Sequence, residues 1–260
     1  HSDIVRQKVL EQFYRPLRAR FLASVDRIVA TSPNYLDTSP VLQRYRNKVE
    51  VIPIGLEPAA YATHSEARLR YWHDRVGPKF LLFVGNLRYY KGLHILLDAL
   101  RDTELHVVIV GAGPVESALR EQAAALNVTQ AQFVGAVSDE DKIALLTLCH
   151  GLAFPSHLRS EAFGISLVEG EMFGKPLISA EIGTGTSFVN IDGETGLVVP
   201  PNDPVSLRDS MLRLWNDEAL AARLGENARA RFEAFFTAEQ MVDRYLDLYH
   251  RIINKYDETH

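Results

Sequence analysis

Apolar positions follow one pattern before Lys79 and another after it. Before it, Val5, Val9, Phe13, Leu17 and Phe21 recur at helical spacing with basic residues between them, which predicts a helix over residues 4–24, bent or interrupted at Pro16. Short apolar runs at 26–31 and 49–55 predict strands, with Ser32-Pro33 and Ser39-Pro40 as turn or helix starts between them. Residues 56–78 show little apolar periodicity and carry Pro58, Gly77 and Pro78, the profile of a hinge or linker.

From Lys79 onward, strand and helix patterns alternate. Strands are predicted at 80–85, 105–111, 131–134, 151–155, 176–180 and 195–199, and helices at 91–101, 114–126, 138–149 and 163–173. Three more helices, 204–216, 218–234 and 237–255, close the chain. The run Phe80-Leu81-Leu82-Phe83-Val84 has no polar face, as in a parallel sheet covered on both sides. Such alternation predicts an α/β fold: a parallel sheet with helices on both faces and right-handed crossovers. Ligands of these sheets lie beyond the carboxyl ends of the strands. Gly85, Gly111, Gly113 and Gly135 fall there, and the segment Ser160–Glu169 follows the fourth strand.

With 260 residues, 47% of them hydrophobic and 23% charged, the chain is an ordinary globular sequence of one large or two small domains. A net charge of −5 argues against a general nucleic-acid binder. The single cysteine, Cys149, excludes an intrachain disulfide and a cysteine zinc cluster, and its apolar surroundings mark it as a small buried hydrophobe. No apolar stretch approaches the ~20 residues of a membrane span and no signal peptide opens the chain, so the expectation is a cytoplasmic protein. His1 already lies in helical pattern without a cap, which reads as a fragment whose partner half of the site lies elsewhere. The basic positions Arg6, Lys8, Arg15, Arg18 and Arg20 suit either a membrane surface or a solvated face.

The stretch Ser160-Glu161-Ala162-Phe163-Gly164-Ile165-Ser166-Leu167-Val168-Glu169 carries the most chemistry. Two carboxylates, with seven residues between them, flank a glycine turn at a predicted helix start, where unpaired amides and the helix dipole favour an anion. One Glu is expected beside that anion and the other about two turns along the same cleft. In Gly85-Asn86-Leu87-Arg88-Tyr89-Tyr90-Lys91-Gly92, Lys91 opens a helix, a place the dipole disfavours for a cation unless an anion binds there. Tyr89 and Tyr90 read as packing residues. Gly111-Ala112-Gly113-Pro114-Val115-Glu116 lacks the third glycine of a dinucleotide fingerprint and reads instead as a tight turn close to a ligand. His157 suits either a sugar contact or a backbone hydrogen bond, and Gly183–Ser187 either a pocket lining or a plain polar turn. His94, His106 and His150 read as structural.

Taken together, the Gly85…Lys91-Gly92 segment, Val110-Gly111-Ala112-Gly113-Pro114, Phe133-Val134-Gly135 and Ser160-Glu161-Ala162-Phe163-Gly164…Glu169 resemble a retaining GT-B glycosyltransferase of family 4, from about residue 24 onward. The resemblance implies a Rossmann-like donor lobe at 79–236, a linker at 59–78, the remnant of an N-terminal acceptor lobe at 1–58, and a helix crossing back at 237–260. It implies that Lys91 neutralises a departing diphosphate and that backbone around Phe163, Gly164 and Ile165 holds sugar and phosphates. Glu161 would bond donor sugar hydroxyls and Glu169 the ribose hydroxyls. Gly85, Asn86, Gly111, Gly113, Val134 and Gly135 would complete the donor site. The family usually carries Arg where this chain has Asn86, which leaves Arg88 as the substitute.

The stretch Glu181-Ile182-Gly183-Thr184-Gly185-Thr186-Ser187 is similar to mannosyltransferases of O-antigen or exopolysaccharide synthesis, which implies GDP-mannose as donor and a glycan or lipid-linked acceptor, without metal or other cofactor. Exposed apolar surface in 1–58 suggests a dimer, and the resemblance a cytoplasmic location at the inner face of the membrane. The alternatives are a non-catalytic nucleotide-sugar module, a sugar-nucleotide epimerase and, more remotely, a pyridoxal-phosphate phosphorylase.

Overall fold

The computed structural model describes residues 8–61 and 65–257. The expectations placed on residues 1–7, including Arg6 and the fragment reading at His1, lie outside them, as do 62–64 of the expected linker and 258–260 of the final helix.

In chain order the elements are α1 (Lys8–Ser24), β1 (Ile28–Ala30), α2 (Pro33–Thr38), α3 (Pro40–Gln43), β2 (Val49–Val51), α4 (Glu66–Val76), β3 (Leu81–Val84), α5 (Leu93–Leu100), β4 (Val107–Val110) and α6 (Glu116–Ala125). There follow β5 (Ala131–Gly135), α7 (Asp139–Leu148), β6 (Gly151–Phe154), α8 (Ile165–Met172), β7 (Leu177–Ala180), α9 (Thr186–Val189), β8 (Gly196–Val199), α10 (Pro204–Asn216), α11 (Glu218–Phe235) and α12 (Ala238–Asp257).

Six strands form one all-parallel sheet in the order β5-β4-β3-β6-β7-β8, and β1 pairs with β2 in a separate parallel pair. The strand order reverses between β3 and β6, so a crevice opens where the loops after these two strands diverge. Every residue of β3, β4, β6 and β7 is buried, which is why β3 and β4 read as unbroken apolar runs. Cys149 is buried too, and burial pushes its thiol up to about 11, as fits an inert core residue.

Residues 56–78 require a correction. This stretch, expected to be a hinge or linker, holds α4, capped by Ser65 and closed by Gly77 at φ 85°. Trp72 and Val76 are buried, and the Trp72 indole N–H donates to Asp141 on α7 at 2.8 Å. The signal was present as Leu69, Trp72 and Val76 at helical spacing, diluted by Arg68, Arg70, Asp74 and Arg75. α1 likewise runs through Pro16 without a break.

The smaller sheet is tied to the larger at two places. Leu56 exchanges backbone hydrogen bonds with Phe236 and Ala238 at the start of α12, and Arg251 of the same helix pairs with Glu50 on β2. The final helix thus contacts the smaller sheet through Arg251. Across the crevice, Asn34 of α2 donates to Ser187 at 3.1 Å, and Arg159 bridges Thr38 at 2.9 Å and the Gly183 carbonyl at 2.7 Å. The 183–187 segment therefore joins the two sheets through the start of α9; Thr184 and Thr186 are buried.

Candidate functional site

The crevice is assembled by close packing of the loops after β3 and β6. Gly92 sits at φ 72°, and any β-carbon there would collide with the Pro155 carbonyl, so only glycine lets the two loops touch. The His157 N–H donates to the Tyr90 carbonyl at 3.0 Å, which fixes the same contact. This approach delivers Lys91 to Glu161: Nζ lies 2.5 Å from Oε2, with the two side chains only 10% and 11% exposed. Ser156 Oγ donates to the same carboxylate at 3.3 Å.

Gly164 occupies the left-handed region at φ 87° and begins α8 without any side-chain cap. The first amides of α8 thus keep the unsatisfied donors and positive dipole end of a helix start. Ser166 Oγ donates to the Val84 carbonyl at 2.9 Å, fastening that start to the end of β3. Lys91, Glu161, Phe163, Gly164 and Ile165 all line one cleft of about 450 Å³, closed on the opposite side by Thr31 and Ile54 next to the smaller sheet. An anion in this cleft meets an ammonium and a helix N-terminus together.

The other expected residues fall elsewhere. Asn86 and Arg88 line a neighbouring cavity of about 470 Å³ with Tyr89, Tyr90 and Leu158, and Ser160 borders both cavities. Arg88 thus lines a different cavity from Lys91, whose Nζ lies 5.5 Å from the Tyr90 ring centroid. Gly85 ends β3, and a β-carbon on Gly111 or Gly113 would collide with the Gly85 or Leu87 carbonyl, so these glycines serve loop packing. Val134 and Gly135 end β5, the edge strand two places from the reversal, and line neither cavity.

Glu169 does not face along the cleft with Glu161. Its side chain is 6% exposed and accepts from Tyr61 Oη at 2.9 Å and Lys142 Nζ at 2.8 Å. Burial, then Glu169, pushes the Tyr61 phenol up to about 12. Burial works against the Lys142 ammonium, yet the Glu169 carboxylate bonded to it raises its pKa overall. Tyr61 and Lys142 were not legible as site residues, because nothing in their local sequence links either to a carboxylate on α8.

His157 is buried and meets the rings of Tyr89 and His94 edge-on, both at 5.0 Å. Tyr89, expected to be a packing residue, is 45% exposed. Below this site, Glu171 of α8 is wholly buried and neither carboxylate oxygen has a hydrogen-bond partner among the described residues. Arg231 stands 3.9 Å away, its donors directed to the carbonyls of Phe188 and Val189. Burial pushes the Glu171 carboxyl up to about 9, Arg231 opposing and Glu194 adding to the rise.

Residues 71–231 match the family described as "Glycosyl transferases group 1". The chain is 59% identical over 238 residues to the D-rhamnosyltransferase WbpZ of Pseudomonas aeruginosa, covering 92% of this chain and 62% of that protein. It is 55% identical over 249 residues to the O-antigen chain mannosyltransferase C of Escherichia coli, covering 96% of this chain and 67% of that one. The chain thus spans about two thirds of the length of these relatives. Its fold matches Anabaena HepE, solved in complex with UDP and glucose, with a TM-score of 0.83 at 20% identity over 96% of this chain and 70% of that one. The chain belongs to the group 1 glycosyl transferases and carries their GT-B type of α/β fold.

Proposed function

We propose that, within this glycosyltransferase family, the chain binds a nucleotide-diphosphate sugar, with GDP-mannose the favoured donor, for a hexosyltransferase of polysaccharide synthesis. The transfer proceeds with retention onto a glycan or lipid-linked acceptor. One observation carries this reading: the Lys91–Glu161 pair lies at the strand-order reversal, in front of the uncapped start of α8. The names of the mannosyl- and rhamnosyltransferase relatives support a six-carbon sugar and an O-antigen-like product.

The chemistry follows from where charge develops. As the anomeric carbon–oxygen bond breaks, its electron pair passes to the diphosphate oxygen and the acceptor hydroxyl oxygen bonds to the anomeric carbon. The hydroxyl proton leaves on the departing diphosphate. Lys91 and the first amides of α8 stabilise the negative charge in the cleft, where preorganised donors act most strongly. When the diphosphate draws Lys91 toward itself, Glu161 is released to accept hydrogen bonds from the sugar hydroxyls. Glu169 reaches the ribose by exchanging its bond from Tyr61. With the leaving group served by Lys91 and these amides, the proposed reaction needs no metal and no further cofactor.

Among the described residues no helix is long and apolar enough to cross a membrane. The exposed Leu17 and Phe21 beside Arg15, Arg18 and Arg20 on α1 support peripheral contact with the inner face of a cytoplasmic membrane, and the same apolar pair supports dimerisation. Titration calorimetry with GDP, UDP and GDP-mannose tests the donor assignment. GDP is expected to bind about tenfold or more tightly than UDP, a difference of about 1.4 kcal/mol. Absence of binding by all three at millimolar ligand overturns the reading.

A further inference from the structure

We propose that the second cavity, lined by Arg88, Tyr89, Tyr90 and Leu158, is an acceptor subsite built into the donor lobe, and that it takes a sugar bearing a phosphate. Its place in the reaction rests on the donor assignment above, while its residues, apart from Ser160, are a separate set. At about 470 Å³ it matches the donor cleft in size and lies within the roughly 300–1,000 Å³ of small-molecule sites.

Charge separates the two cavities. Lys91 is paired with Glu161, whereas the exposed Arg88 guanidinium forms no ion pair with a carboxylate among the described residues. An anion entering the second cavity meets a cation with no competing carboxylate. The planar fork of arginine suits two oxygens of one phosphate, which the point charge of a lysine does not.

The wall beside Arg88 is held in place. The exposed Tyr89 ring stacks on His94 at 5.1 Å and 7°, and His157 meets both rings edge-on. Burial lowers the His94 pKa, which favours the uncharged ring against Tyr89. An aromatic ring fixed at the rim of a polar cavity offers an apolar platform to the C–H face of a pyranose. Ser160 lines both cavities, so a sugar in each would meet beside Glu161. Group transfer demands this adjacency, with reacting atoms brought to about 3–3.5 Å.

The test uses the intact protein with saturating GDP, which fills the donor cleft. Glucose 1-phosphate and mannose 1-phosphate are titrated by saturation-transfer NMR, with methyl glucoside and methyl mannoside as neutral controls. The sugar phosphates are expected to bind at least tenfold more tightly than the methyl glycosides. Arg88→Ala is expected to weaken them about tenfold and Tyr89→Leu about fivefold, with GDP affinity within twofold of wild type in both. Lys91→Ala is expected to show the reverse pattern. Dodecyl phosphodiesters of the same sugars distinguish the source: tighter binding than the free sugar phosphate marks a lipid-linked acceptor, weaker binding a soluble one.

No sugar phosphate binding to the GDP-loaded protein overturns the proposal, as does an Arg88→Ala variant that loses GDP and keeps the sugar phosphate. Failure of the donor assignment reads differently, as no GDP binding by the wild-type protein.

Discussion

Lys91 Nζ and Glu161 Oε2 stand 2.5 Å apart although 70 residues separate them in the chain. Each sits in a loop at the carboxyl end of a different strand, β3 or β6, and these strands flank the point where the strand order reverses. Removing one member of a buried pair strands the other charge and costs about 3–5 kcal/mol. Placing a second anion in the cleft gives the lysine an alternative partner, so this contact is suited to exchange during binding.

Lys91→Ala is therefore expected to lower kcat by about 10²–10³, the range for loss of one charge-stabilising donor. It also lowers Tm by leaving Glu161 unpaired. Adding Glu161→Gln to that variant is expected to recover part of the Tm and none of the activity. A kcat for Lys91→Ala within threefold of wild type would remove the lysine from the chemistry.

Tyr61 donates to Glu169, so in the proposed donor site its hydroxyl would compete with the ribose for that carboxylate. Tyr61→Phe deletes a hydrogen bond worth about 0.5–1.5 kcal/mol, so GDP affinity is expected to rise by about two- to tenfold. Calorimetry at fixed pH reads this directly. Weaker GDP binding by the variant would show that Tyr61 supports the site instead.

Glu171 gives stability a pH dependence of defined sign. Its folded pKa of about 9 lies above the unfolded value of 4.5, so the native state holds a proton that the unfolded state releases within that window. Stability is fully present below the unfolded value and falls as pH rises toward 9, by roughly 1.4 kcal/mol per unit for this group. Glu171→Gln removes the titration. The Tm advantage of the variant is expected to grow steadily from pH 5 to pH 9, and a constant offset would refute the assignment.

Gly164→Ala places a side chain at φ 87° and 3.0 Å from the Leu167 side chain. The left-handed backbone costs about 1–2 kcal/mol for an L-residue. Relaxation toward ordinary angles would also turn the first amides of α8 away from the cleft. Both Tm and GDP affinity are expected to fall; a loss of Tm with unchanged affinity would separate the turn from phosphate binding.

The strands of the larger sheet were legible because burial on both faces writes an unbroken apolar run, as in β3 and β4, ended by Gly85 and Gly111. The predicted helix 138–149 begins where its first residue caps it: Ser138 Oγ accepts from the Asp141 N–H at 3.1 Å and donates to its carboxylate at 2.7 Å. What chain order does not encode is which loops meet. Glu161 and Glu169 read as a pair in one cleft, yet Tyr61 and Lys142 are the partners that hold Glu169. Arg88 reads as the substitute for the family arginine beside Lys91, yet the two residues line different cavities. α4 went unread because its few apolar residues are scattered among charges, and its contacts with α7 supply the rest.

The chain holds just two tryptophans, and one of them, Trp72, is clamped between α4 and α7 by its indole hydrogen bond to Asp141. With Trp215 replaced by phenylalanine, fluorescence emission from Trp72 becomes an optical gauge of that clamp. A red shift on adding nucleotide would reveal the helix loosening as the two sheets rearrange. An unchanged spectrum would show it travelling with the larger sheet as one rigid piece.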